Sequence, residues 1–127
     1  MRILITAILG MVLLVGCSST PTDLRESSDR KESWVADQPI EAVFRTYKDY
    51  IDNELAWDGL LGQRLAQESY FYGDSAEIAI KMTGNPMAQT TYLYFDLQKA
   101  AGSTTVTAWA HNRPWEKKMA DFKALTK

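Results

Sequence analysis

The chain has 127 residues, with 16 acidic and 14 basic side chains, one His and one Cys. That length holds one domain. The near-balanced charge, without a Lys/Arg run, gives no footprint for nucleic acid, and a single Cys excludes an internal disulfide. All fourteen Phe, Tyr and Trp residues lie after residue 33, which marks where a packed domain is expected to begin.

Met1-Arg2 places one positive charge ahead of Ile3 to Val15, a stretch that is apolar apart from Thr6 and Gly10. As a helix these thirteen residues span about 20 Å, short of a hydrocarbon core of about 30 Å. The charged start and the length predict an export signal over residues 1–16.

The stretch ends in Leu14-Val15-Gly16-Cys17. This tetrad resembles the lipobox of bacterial lipoproteins at all four positions. The resemblance implies that the Cys17 thiol receives a diacylglyceryl group, that the signal is cut before Cys17 and that the new amino group is acylated. A thiolate suits the first step because it is a strong nucleophile that forms a stable thioether. Ser18 follows the Cys, where Asp would signal inner-membrane retention. The resemblance therefore implies an anchor on the periplasmic face of the outer membrane, with the inner membrane or the surface of a single-membrane cell as alternatives.

Residues 17–33 are rich in Ser, Thr, Asp, Arg and Lys and hold no aromatic residue. Their low apolar content predicts a flexible tether behind the lipidated Cys. A single domain is expected over 34–127. Trp34-Val35-Ala36 reads as a short strand. Asp37 or Gln38 is a candidate cap for a helix with Pro39 in its first turn. Ile40, Val43, Phe44, Tyr47 and Ile51 follow at helical spacing, with the helix running to about Asn53. Asp58-Gly59 and Gly62 break it.

Leu65 to Tyr72 is β-rich with ambiguous faces. Ala76 to Thr83 puts Ile78, Ile80 and Met82 on one side, and Gly84-Asn85-Pro86 turns the chain. Thr90 to Leu97 puts Leu93, Phe95 and Leu97 inward, with Tyr92, Tyr94 and Asp96 outward. Ser103 to His111 puts Val106, Ala108 and Ala110 inward, with Trp109 and His111 outward. The short connections predict an antiparallel meander. Asn112 caps a last helix with Pro114 in its first turn and Trp115, Met119 and Phe122 as its stripe.

The expected fold class is α+β: an antiparallel sheet of about four to five strands with two helices packed on one face, in the order β-α-β-β-β-β-α. This element order, over roughly residues 33–125, resembles the helix-grip arrangement and the small domains of Bam C, a lipoprotein subunit of the outer-membrane β-barrel assembly machine. A fold-level likeness of this kind implies no activity.

Catalytic chemistry is poorly provided for. A nucleophile–base set would have to use His111, with Ser103 and Asp96 nearby in sequence, and no Gly-x-Ser-x-Gly elbow exists. A zinc site needs more His or Cys than the chain holds, the glycines are isolated turn residues, and no cofactor is expected. Asp49, Asp52, Glu54 and Asp58 read as a solvated helix end. The reading is a non-enzymatic, membrane-anchored periplasmic lipoprotein that binds an envelope protein partner. Tyr92, Tyr94, Trp109, His111 and Arg113 are the candidate partner-binding residues, with Tyr70 and Tyr72 as further outward rings. Large amphipathic rings and Arg are frequent interface anchors. The alternative is a carrier of a small apolar ligand, a lipid or fatty acid, held between sheet and helices.

Overall fold

The structure, a computed structural model, describes residues 20–27, 29–60, 62–84 and 90–127. The expected export signal, Cys17 and the Asn85-Pro86 turn lie outside the described residues. Helix α1 spans Pro21–Ser27, strand β1 Lys31–Ala36 and helix α2 Ile40–Tyr50, which runs on as a π turn over Ile51–Leu55. Strands β2 (Trp57–Asp58), β3 (Arg64–Phe71), β4 (Ser75–Thr83), β5 (Thr90–Ala100) and β6 (Ser103–Ala110) follow, and helix α3 (Arg113–Leu125) ends the order.

The six strands form one sheet in the order β1-β6-β5-β4-β3-β2, with every neighbouring pair antiparallel. The α+β class therefore holds. The structure adds the two-residue strand β2 and a third helix to the expected order. Strands β2 to β6 form a meander, whereas β1 lies at the far edge against β6. Crossing from one edge to the other takes the chain over about 24 Å of sheet width. Helix α2, about 17 Å long, and its π turn make that crossing over one face.

The face they cross is where the alternation puts the aliphatic residues. Ile78, Ile80, Leu93, Phe95, Leu97, Val106, Ala108 and Ala110 all have no exposed surface. They form one cluster with Ile40, Val43 and Tyr47 of α2 and Met119 and Phe122 of α3. Ala108 stands opposite Phe95 in the β5–β6 register, which leaves room for the Phe95 ring. That ring meets Tyr47 at 5.4 Å and Phe122 at 4.6 Å, and Tyr47 meets Phe122 edge-on at 5.2 Å.

The helix ends follow local chemistry, with one departure from expectation. The Asn112 side chain accepts a hydrogen bond from the Trp115 backbone N–H at 3.2 Å, capping α3 as its sequence predicts. At α2 neither Asp37 nor Gln38 is the cap. Pro39 takes that position in an extended conformation, and no side chain bonds to the free N–H groups. Gly84 has φ +94°, and a Cβ there would collide with the Gly62 carbonyl, so the turn requires glycine on two counts.

A second departure lies in β5. Ile80 pairs with Leu93 but Lys81 pairs with Thr91, which leaves Tyr92 as an extra residue in a β-bulge. The bulge breaks the strict alternation and turns Tyr92 to the helix side. There it stacks on Trp115 with centroids 5.4 Å apart and planes 15° apart.

Tyr47 ties three elements together. Its hydroxyl accepts a hydrogen bond from Trp34 Nε1 of β1 at 3.1 Å and lies 3.2 Å from Thr126 Oγ1, just past α3. Removing only that oxygen, in Tyr47→Phe, leaves the Trp34 N–H without its acceptor in a part-buried position. The expected cost is about 1–3 kcal/mol, read as a lower urea midpoint with an unchanged slope.

Candidate functional site

The face away from α2 and α3 is also apolar along one row. The registers place Lys31, Trp109, Tyr94, Ala79 and Glu68 side by side across five strands. Tyr94 is 3% and Trp109 7% exposed, because α1 lies across them and seats Leu24 against them and Ala79. The Arg25 guanidinium lies 5.6 Å from the Tyr94 ring centroid and 5.7 Å from that of Trp109, and Lys31 Nζ lies 5.4 Å from the latter. Such contacts contribute about 0.5–1 kcal/mol each at an exposed site.

Helix α1 lies within the stretch expected to be a flexible tether, and β1 begins at Lys31 rather than Trp34. The local reason is a reciprocal cap. The Thr20 hydroxyl accepts from the Asp23 N–H at 3.2 Å, and the Asp23 carboxylate accepts from the Thr20 N–H at 3.0 Å. Pro21 occupies the first helical position, where its missing N–H is no loss. The Thr-x-x-Asp spacing, with Pro between and Leu24 next, is the signal that composition alone obscures.

Beside the first turn of α1 lies a polar cavity of about 180 Å³ bordered by Pro21, Arg25, Glu68, Tyr70, Lys81 and Tyr94. Lys81 Nζ pairs with Glu68 at 2.6 Å, and the Tyr70 hydroxyl donates to the same carboxylate at 2.5 Å. These two hydrogen bonds hold the Glu68 carboxyl below its ordinary range, the Lys81 bond foremost. Tyr72 donates to Glu77 at 3.3 Å. Burial, and then the neighbouring Glu77 carboxylate, push the Tyr94 phenol well above its ordinary range.

The structure divides the candidate partner-binding residues between two places. Tyr94 and Trp109 lie under α1. Tyr92, His111 and Arg113 gather at the other side of the sheet end, where the Tyr92 ring meets His111 edge-on at 5.9 Å and His111 and Arg113 are exposed. Tyr70 and Tyr72 point outward and are 50% and 62% exposed.

Ser103 and His111 stand at opposite ends of β6, roughly 26 Å apart by strand rise. Asp96 pairs with Thr107 midway along it. Strand geometry therefore separates the three groups of the sequence-based relay. Asp49 and Asp52 line an open groove of about 360 Å³ with Phe44, Arg45, Lys48 and Phe71. Among the described residues no three His, Cys, Asp or Glu side chains stand close enough to share a metal.

In comparisons with known proteins, the chain matches no family model, no curated protein and no solved structure.

The buried phenol gives stability a pH dependence of known sign. An unfolded Tyr ionises near pH 10, whereas folded Tyr94 holds its proton to higher pH. Its contribution is full below about pH 10 and is lost as pH rises further, by up to about 1.4 kcal/mol per pH unit. Tyr94→Phe is therefore expected to lose less stability than wild type between about pH 10 and 11.5. Urea midpoints across that interval check it, and identical slopes for the two proteins would contradict it.

Proposed function

We propose that this chain is a lipid-anchored protein of the bacterial cell envelope whose domain binds another envelope protein and carries out no reaction of its own. The observation that carries the reading is Leu14-Val15-Gly16-Cys17 at the end of the apolar stretch Ile3 to Val15. Lipid on Cys17 supplies the anchor: each buried CH₂ contributes about 0.8 kcal/mol, so two or three acyl chains hold where one holds only marginally. Ser18 directs the protein to the periplasmic face of the outer membrane. Among the described residues no helix is long and apolar enough to cross a membrane, so the membrane link falls to the residues before them.

The open rim of Tyr92, His111 and Arg113 is the partner surface. It is an aromatic stack flanked by an exposed imidazole and guanidinium. The ligand-carrier alternative has less support. The space between sheet and helices where a lipid tail would lie is occupied by the mutually packed rings of Tyr47, Phe95 and Phe122.

The reading is tested in a two-membrane bacterial host grown with labelled palmitate. The mature protein is expected to carry label and to lack residues 1–16, whereas Cys17→Ser stays unlabelled at precursor length. A photo-crosslinking residue in place of Arg113 is expected to trap one envelope protein, and in place of Trp109 none. An unlabelled wild type ends the anchor reading, and crosslinks from position 109 alone end the rim as the partner surface.

A further inference from the structure

The fold brings two exposed aromatic side chains next to the point where the anchored chain enters the domain. We propose that Tyr70 and Tyr72, at the β3–β4 turn, seat the domain on the zwitterionic headgroup layer of the membrane that carries Cys17. The inference rests on the lipid-anchor reading above and adds the surface through which the domain meets the bilayer.

Chain length sets the first constraint. Only Ser18 and Ser19 separate Cys17 from Thr20, and Thr20 is fixed as the cap of α1. Three residues, even fully extended, reach at most about 11 Å. With α1 seated on the Tyr94–Trp109 row, the Cys17 backbone cannot stray further than that from the helix's first turn. The headgroup layer is itself roughly 5–8 Å thick on each side of the hydrocarbon. The surface around that turn is therefore held against the membrane.

That surface is the one that carries Tyr70. Pro21 and Thr22 share a cavity with Glu68 and Tyr70. Tyr70 is 50% exposed there, and Tyr72, whose hydroxyl bonds to Glu77 on the same side, is 62% exposed, whereas Phe71 between them turns to the other face and packs on Phe44 at 5.2 Å. An apolar ring with a hydroxyl at its end suits the boundary between acyl chains and water. The charges nearby cancel rather than form a basic patch: Glu68 pairs with Lys81, and Asp74 lies 3.8 Å from Lys99. The contact is therefore driven by ring burial and does not require anionic lipid. The other exposed apolar pair, Trp57 and Leu60, lies toward the opposite end of β3, where Trp57 pairs with Leu65. Five strand residues separate that position from Tyr70, roughly 17 Å.

The test uses the natively lipidated, isotope-labelled protein in phosphatidylcholine nanodiscs that contain a gadolinium-chelating lipid. Amides 69–73 are expected to broaden several-fold more than amides 57–60, equally at low and high salt. Replacing the exposed rings, in Tyr70→Ser/Tyr72→Ser, is expected to abolish the preference without unfolding the domain. Leu24→Asp is expected to abolish it by another route. It frees the chain up to Arg30, and about thirteen residues of loose chain have a reach of roughly 20 Å. Even broadening in wild type, broadening centred on 57–60, or a preference that appears only with anionic lipid overturns the proposal. The intact mass of the same preparation separates the two readings. An unmodified Cys17 defeats the anchor itself, whereas a lipidated Cys17 with even broadening defeats only the seat.

Discussion

The sheet carries a full apolar core on one face and a smaller patch of Ala79, Tyr94 and Trp109 on the other, and the rest of the structure follows from the need to cover both. In β5, Leu93, Phe95 and Leu97 face one way while Tyr94 faces the other; in β6, Val106, Ala108 and Ala110 oppose Trp109. Two amphipathic helices cover the first side. Leaving Tyr94 and Trp109 open to water on the second would forgo burial of two of the largest side chains in the protein, each with 150–250 Å² to bury in general. The roughly two turns of α1 cover them, and its cap, Leu24 and Arg25 each contribute to holding it there.

That cover has a consequence for place as well as for packing. Sixteen residues of loose, mostly polar chain between a lipid and a domain would allow the domain to drift some 20 Å from the bilayer. Docking α1 removes most of that slack, because it fixes the chain from Thr20 onward. Under the proposed lipid anchor, a stability device on one face of the sheet thus becomes a distance constraint at the membrane. It also selects which edge of the domain is nearest the anchor. The rim of Tyr92, His111 and Arg113, on the helix side of the bulge, is the surface proposed for a partner.

Much of this was legible in the residues. The alternation in β4, β5 and β6 identified the core face correctly at Ile78, Ile80, Leu93, Phe95, Val106 and Ala108, since a half-buried strand enforces period two. Asn112 announced α3, because its side chain and the following Pro are both specific to a helix start. The parts that were not legible have identifiable causes. Strand β2 is two residues long and owes its state to pairing with Leu65 and Arg64 rather than to its own composition. Tyr92 lies on the unexpected face because a bulge is set by the register of β4, which no window on β5 contains. Helix α1 was hidden by polar composition, although Thr20 and Asp23 carry its cap. Leu24, the one buried side chain among its described residues, gives no periodicity to detect.

The central claim is that α1 is seated on the Tyr94–Trp109 row. The most direct measurement is a set of nuclear Overhauser contacts from the Leu24 methyl groups in the full-length protein. The account expects cross-peaks to the Trp109 indole and the Tyr94 ring, with both aromatic residues shielded from water. Leu24 methyls without contacts to either ring, at random-coil shifts, would contradict it.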